Sequence, residues 1–317
     1  MLIQFGIFIG GLIALALGAE ILVNGGLKIA RVFKLSPLLV GLTILAYGTS
    51  LPELVVSVLA AVKGSAPIAL GNAVGSNLLN TGLILGIAAL IFPLAATPSL
   101  FRRDLPLHLL VVVLFGLLAF DGRIDLYDGT LFLLAMCSYL SLTVWNGLRH
   151  PEDVPELPEG ETKPKESWWI AVILIFAGSV GLFFGANWMV DAAINIAREL
   201  NIAERVIGTT IVALGTSLPE LATTIAAARR NESSLVLGNL IGSNIFNLLL
   251  IVGTAGVIAP FSFNEADARV DFLFLIANAV MLFCLFRFRE PRTMERPAGS
   301  LLIIVYALFL ALLFFRI

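Results

Sequence analysis

Residues 41–80 read GLTILAYGTSLPELVVSVLAAVKGSAPIALGNAVGSNLLN, and residues 208–247 read GTTIVALGTSLPELATTIAAARRNESSLVLGNLIGSNIFN. At an offset of 167, without a gap, they agree at 20 of 40 positions. The same offset aligns Gly18-Ala19 with Gly185-Ala186 and Ile29-Ala30-Arg31 with Ile196-Ala197-Arg198. The chain is therefore two copies of one unit. Each copy carries the stretch GTSLPE inside an apolar segment, at Gly48 to Glu53 and again at Gly215 to Glu220.

Composition says what medium those segments occupy. Of 317 residues, 59% are hydrophobic and 13% charged, with mean hydropathy +0.98. A soluble domain carries roughly 25% charged residues, so the deficit points to a membrane protein. The net charge of −2 carries no message by itself, and with no basic run in the sequence no nucleic-acid partner is expected. Cys137 and Cys284 both fall in apolar runs, and no CxxC spacing exists, so neither a disulfide framework nor a thiolate metal site is expected. The first Lys or Arg is Lys28. The N-terminal segment thus lacks the basic start of a signal peptide and reads as a span.

A helix needs about 20 apolar residues to cross a bilayer. Hydropathy predicts ten spans, near 2–27, 36–62, 68–92, 105–121, 127–147, 168–196, 203–228, 235–259, 270–288 and 298–315. The Pro- and Glu-rich stretch from His150 to Ser167 separates five from five. The expected organisation is a first half at 1–149, a cytoplasmic linker at 150–167 and a second half at 168–317. An odd number of spans per half makes the second copy enter the membrane from the opposite side. The fold class is thus an all-α membrane protein, ten transmembrane helices in two inverted five-helix repeats. With the N-terminus outside, the inward loops hold fourteen Lys and Arg against six outward. The positive-inside bias then places both termini outside.

Glu53 and Glu220 lie within apolar spans, where an ionisable side chain is costly and marks function by default. Two at equivalent positions, in identical six-residue contexts, are not stray charges. Thr49 and Ser50 precede Glu53 by four and three residues, which brings their hydroxyls to its face of the helix. Pro52 removes a backbone donor and Gly48 loosens the same turn. Carbonyls around Ala46 to Gly48 are expected to leave the helix ladder and face a cavity. Thr216, Ser217, Glu220, Pro219 and the carbonyls near Ala213 repeat the arrangement. On the following span Asn72, Ser76 and Asn80 recur every four residues, as do Asn239, Ser243 and Asn247. Each series forms a polar stripe. Asn72 and Asn239 are expected to serve partly as interhelical hydrogen bonders, and Asn77 and Asn244, off the stripe, as structural residues. Gly71 with Gly75, and Gly238 with Gly242, have the spacing that lets helices approach closely.

The assembled donors are carboxylates, hydroxyls, amide oxygens and carbonyls, with no His or Cys. That set disfavours soft transition metals. A flexible all-oxygen site with two negative charges suits Ca²⁺, and its smaller pieces suit Na⁺. Two carboxylates balance one Ca²⁺ or two Na⁺, and an empty, doubly charged site is costly to carry through a closed state. Exchange follows as the expectation. Glu20 aligns with Asn187, and Asp191 with Asn24, so neither charge is duplicated; each either lines an ion path or faces a loop. His108 reads as a boundary residue.

These residues resemble the cation/Ca²⁺ antiporter superfamily, and within it the sodium/calcium exchangers, especially compact prokaryotic ones. The matching pieces are GTSLPE with GNAVGSNLLN and GTSLPE with GNLIGSNIFN, and the likeness spans essentially the whole chain. The resemblance implies that Glu53 and Glu220 bind Ca²⁺ and Na⁺, joined by Thr49, Thr216 and the carbonyls of Ala46 and Ala213. It implies that Ser50, Ser76, Asn80, Ser217, Ser243 and Asn247 complete the Na⁺ sites. It also implies that spans 1 and 6 slide across the other eight. Some relatives, including the potassium-dependent branch, carry Asp where this chain has Asn247, which argues against K⁺ coupling. Proton/calcium exchangers place a Glu after a GN pair, and Ala73–Val74 and Leu240–Ile241 supply none.

The function expected is Na⁺/Ca²⁺ antiport by alternating access. The alternatives are H⁺/Ca²⁺ or other divalent exchange and a passive cation pore. An intramembrane hydrolase using Ser50 or Ser217 lacks a base in an equivalent context, so no enzymatic activity is expected. The expected surroundings are a plasma membrane, the inner membrane in a bacterium. No cofactor and no obligate protein partner are expected; Ca²⁺ and Na⁺ are cargo.

Overall fold

The computed structural model describes residues 2–149, 167–200, 213–263, 265–288 and 292–316. The expected linker lies outside these residues except for Ser167, as does the first part of the seventh expected span, 203–212.

The chain is almost entirely helical. Helix α1 (Leu2–Phe33) is followed by α2 (Pro37–Thr49) and α3 (Leu51–Val62), which meet at a 48° bend. Next come α4 (Ile68–Ile91), α5 (Leu100–Asp121) and α6 (Leu126–Arg149). The second half contains α7 (Trp168–Glu199), α8 (Ala213–Thr216), α9 (Leu218–Ala228), α10 (Ser233–Ile258), α11 (Glu265–Arg287) and α12 (Arg296–Arg316). Among the described residues seven helices are long and apolar enough to cross a bilayer, or eight with α2–α3 taken as one bent span. The other two expected spans fall on α8–α9, which follows the undescribed 201–212, and on the 21-residue α12.

Local chemistry explains the boundaries. Ser36 caps α2 by accepting the Leu39 N–H at 3.2 Å, with Pro37 in the first turn, where a missing N–H costs nothing. The bend after α2 falls at Ser50 (φ −86°, ψ 7°), and Ser217 before α9 has the same backbone (φ −91°, ψ 8°). Pro52 and Pro219 then occupy the first turns of α3 and α9. Helices α4 and α10 each contain a π-helical turn, at Asn80–Ile84 and Asn247–Ile251. Those turns are 167 residues apart, and such wide turns cluster at functional sites.

The all-α expectation needs one small amendment. Four two-residue strands form two antiparallel ladders, β1 (Leu94–Ala95) with β4 (Thr293–Met294) and β2 (Arg123–Ile124) with β3 (Phe261–Ser262). Each ladder joins a loop of one half to a loop of the other and pairs backbone groups that leave the helices.

Helix α10 is the centre of the molecule: Leu235 to Phe246 are buried without a break. At Gly238 an added Cβ would lie 2.8 Å from the Leu38 carbonyl, and at Gly242 2.7 Å from that of Leu42. The bare backbone is what lets α2 reach α10. The corresponding partners of Gly71 and Gly75 fall at 205–212, outside the described residues. Helices α1 and α7 pack along one another at the periphery. A Cβ on Gly18 would stand 2.6 Å from the Leu182 nitrogen, and one on Gly178 2.5 Å from that of Leu22. The two helices expose Ile13, Leu17, Ile173 and Trp188, as a lipid-facing surface requires.

Candidate cation site

The two GTSLPE segments of the repeated sequence meet in the interior of the molecule. Glu53 and Glu220 are fully buried, each in the first turn of its helix. Ser50 donates to Glu220 Oε1 at 2.9 Å, and Ser217 donates to Glu53 Oε1 at 3.2 Å. Each carboxylate is thus held by the serine of the other copy. Ser217 also lies 3.2 Å from Ser76, and Ser243 lies 3.4 Å from Glu220 Oε1. Thr49 Oγ1 stands 3.4 Å from Ser243, 3.4 Å from Asn239 Oδ1 and 3.3 Å from the Ala46 carbonyl, and its single proton satisfies one of these. Thr216 donates to Asn72 Oδ1 at 3.1 Å, the counterpart of the Thr49–Asn239 contact.

The polar stripes on α4 and α10 are oriented by a network of asparagines. Asn77 Nδ2 donates to the Asn244 main-chain carbonyl at 3.0 Å. A carbonyl only accepts, so the Asn77 amide has one orientation. Its Oδ1 then receives Asn247 Nδ2 at 3.0 Å. Asn244 Oδ1 receives Asn80 Nδ2 at 3.2 Å, while Asn244 Nδ2 donates to Thr81 Oγ1 at 2.8 Å. With their N–H groups engaged, Asn80 and Asn247 present their oxygens the other way.

Those oxygens have no donor. Glu53 Oε2, Glu220 Oε2, Asn80 Oδ1 and Asn247 Oδ1 are all buried and unpartnered. They form two pairs under the 167-residue offset. The helix bearing Glu53 packs on the π turn that starts at Asn247, and the helix bearing Glu220 on the one that starts at Asn80. Buried acceptors without donors are costly, and two carboxylates and two amide oxygens are hard-cation ligands. No cluster of three His, Cys, Asp or Glu exists among the described residues, so any cation here is held by mixed oxygen chemistry.

One expectation changes. The Ala46 carbonyl is not released from the helix: it accepts the Ser50 N–H at 3.1 Å. The break comes at Ser50, too late to free it. The carbonyl four residues before Pro52 is that of Gly48, and Pro52 has no N–H to give it. Ala46 retains a second lone pair. Ala213 opens α8 beside undescribed residues, and no bond of its carbonyl is described. Three bonding partners escaped the sequence reading. Ser57 accepts Asn72 Nδ2 at 2.9 Å, the Glu53 carbonyl accepts the same group at 3.2 Å, and Thr81 receives Asn244. Ser57 aligns with Thr224 and could have been flagged as a repeated hydroxyl. Thr81 aligns with Leu248 and carries no such signal. His108 is buried on α5, and no bond joins it to the glutamates.

An apolar cavity of about 750 Å³ lies beside the site, lined by Tyr47, Gly48, Pro52, Phe176, Ser179 and Phe246 among others. It has no charged lining residue, so it is not where a cation is held.

A family model described as "Sodium/calcium exchanger protein" matches residues 3–145 and 170–315. The chain is 37% identical over 307 residues to a putative antiporter CaxA of Alkalimonas amylolytica, covering 96% of each chain. It is 31% identical to the sodium/calcium exchanger MaX1 of Methanosarcina acetivorans, covering 99% of each. A solved structure of the sodium-calcium exchanger NCX_Mj, soaked with Na⁺ and Ca²⁺, superimposes with TM-score 0.86 and 33% identity over 98% of each chain.

Proposed function

This chain belongs to the sodium/calcium exchanger family, and from that premise we propose that it is an antiporter exchanging Na⁺ for Ca²⁺ by alternating access. The family and the helical, multi-pass architecture support cation/Ca²⁺ exchange in general. The finer reading rests on one observation: four buried acceptor oxygens without donors, from Glu53, Glu220, Asn80 and Asn247. In this reading Glu53, Glu220, Thr49 and Thr216 take Ca²⁺. The carbonyls of Ala46 and Ala213 join these four, and Ser50, Ser217, Ser76, Ser243, Asn80 and Asn247 complete smaller Na⁺ subsites.

The reading carries an architecture with it. Ten spans form two inverted halves, 1–149 and 168–317, with both termini outside a plasma membrane, or the inner membrane in a bacterium. The crossed Ser50–Glu220 and Ser217–Glu53 bonds support twofold halves that share one site. Occupancy controls movement. Two carboxylates in a closed, dry site are strongly unfavourable when empty, whereas one Ca²⁺ or two Na⁺ neutralise them.

The coupling ion is tested by ⁴⁵Ca²⁺ uptake into proteoliposomes under an outward gradient of Na⁺, K⁺ or H⁺ in turn. Uptake driven by Na⁺ and stimulated from the opposite side is expected. Uptake driven by a proton gradient alone points to H⁺/Ca²⁺ exchange. Flux without stimulation by the opposing ion points to a pore.

A further inference from the structure

We infer that Arg230 and Lys63 are the two ends of one positioning latch, Arg230 closed on α1 in this structure and Lys63 closing on α7 in the opposite-facing state. The inference rests on the alternating-access reading above.

Arg230 Nη2 donates to Glu20 Oε2, an ion pair, and Nη1 to Asn24 Oδ1. Glu20 and Asn24 are one turn apart on α1, so a single guanidinium fork spans both. The 167-residue offset carries Arg230 to Lys63, Glu20 to Asn187 and Asn24 to Asp191. The second set has the same inventory, one cation, one acid and one amide, with acid and amide exchanged. The unduplicated charges at Glu20 and Asp191 therefore become a match at the level of the cluster.

The turn that presents each cation is the same in both halves. Gly64 and Asn231, the next residues, both have positive φ, 73° and 60°. Gly64 N–H bonds the Ala61 carbonyl at 2.9 Å, and Asn231 N–H bonds that of Ala228 at 3.0 Å. Ser65 N–H bonds Ala60 at 2.8 Å, and Glu232 N–H bonds Ala227 at 3.1 Å. The side chains differ. Lys63 and Asp191 are exposed and have no bond among the described residues, and Asn187 donates to the Phe183 carbonyl of its own helix at 2.9 Å. Identical turns with different bonding place the asymmetry in the outer helices: α1 meets its turn, and α7 does not. In an inverted repeat the other end state exchanges the two halves' conformations. There α7 brings Asp191 and Asn187 to Lys63, and α1 leaves Arg230. Glu232, half-buried beside Arg230 and Arg31, gives Arg230 a second acid when Glu20 departs; Ser65 holds that position in the first half.

Each latch biases the two states without touching the ions. A partly exposed pair shifts such a balance by about two- to fivefold. Removing one end favours the state that the other end stabilises. Arg230→Gln and Lys63→Gln therefore move the apparent Ca²⁺ KM on one membrane face in opposite directions, by up to about fivefold. The exchanged pair Lys63→Asp with Asp191→Lys returns it toward wild type. In a Cys137→Ala, Cys284→Ala background, a short bifunctional thiol reagent should bridge Glu20→Cys to Arg230→Cys. It should bridge Lys63→Cys to Asp191→Cys only under the opposite ion gradient, and never both at once. KM shifts in the same direction, no recovery in the exchanged pair, or no 63–191 bridge under any gradient would overturn the latch. A wild-type protein without Na⁺-driven ⁴⁵Ca²⁺ uptake would instead overturn the exchange reading, while the bridging experiment still reports on the latch.

Discussion

Asn77 touches no candidate ligand oxygen directly, yet its replacement by Ala should weaken cation binding. Its side chain makes two hydrogen bonds, from Nδ2 to the Asn244 carbonyl and from Asn247 Nδ2 to its Oδ1, both 3.0 Å. The second fixes the rotation of the Asn247 amide and leaves its Oδ1, like Oε2 of Glu53 and Glu220, without a donor. Without it, the buried Asn247 amide N–H loses its acceptor, at a cost of about 1–3 kcal/mol. The amide can recover part of that by turning its N–H₂ to the carboxylates, which replaces a cation ligand with a cation repellent. If the full cost is felt in binding, the apparent affinity falls about five- to 150-fold, since 1.4 kcal/mol is a factor of ten. Titration calorimetry of purified Asn77→Ala, Asn247→Ala and the double variant measures this directly. Because Asn77 acts through Asn247, the double variant should bind no more weakly than Asn247→Ala alone. Fully additive losses, or Asn77→Ala binding like wild type, would refute the orientation argument.

Other substitutions probe other links. Glu53→Gln and Glu220→Gln should each abolish Ca²⁺ transport while leaving the ion-free melting temperature unlowered, because an unpaired buried charge is removed; wild-type ⁴⁵Ca²⁺ flux in either would show that the glutamates are not ligands. Stabilisation by Ca²⁺, about 2.7 kcal/mol at one hundred times Kd, should vanish in both variants in thermal melts. Asn247→Asp should make exchange pH-dependent, since a carboxylate there titrates where an amide does not; an unchanged pH profile would remove position 247 from the ion path. Gly18→Leu places side-chain atoms where even a Cβ is 2.6 Å from the Leu182 nitrogen. It should cost at least about 1–3 kcal/mol or force α1 from α7, seen as lower thermal stability in detergent.

Much of this site was legible because it is written twice. An acid preceded by Thr, Ser and Pro within an apolar segment needs no tertiary information to be singled out once it recurs at a fixed offset. The Asn80 and Asn247 stripes followed from helical periodicity, and both begin the π turns on which the glutamate helices pack. What stayed hidden was the pairing across copies. Ser50 lies three residues from Glu53 in sequence, yet its hydroxyl bonds Glu220. Local spacing pointed to its own helix because the partner helix is absent from any local window. Of the carbonyls expected to be free between Ala46 and Gly48, that of Ala46 keeps its donor, because the helix continues as far as the Ser50 N–H, while Pro52 has no N–H for that of Gly48. Thr81 was invisible because Leu248 occupies its place in the other copy. The match between the Arg230 and Lys63 clusters needed the structure for a different reason. Aligned residue by residue, their acids disagree, and only a shared turn shows that the two sets are equivalent.

The central claim is that the oxygens of Glu53, Glu220, Asn80 and Asn247 hold one set of sites for which Ca²⁺ and Na⁺ compete. Calorimetric titration of the purified protein with Ca²⁺ at increasing Na⁺ tests it most directly. The expected result is Ca²⁺ binding that Na⁺ weakens competitively and that Glu53→Gln or Glu220→Gln eliminates. Ca²⁺ binding indifferent to Na⁺, or intact in either variant, would contradict it.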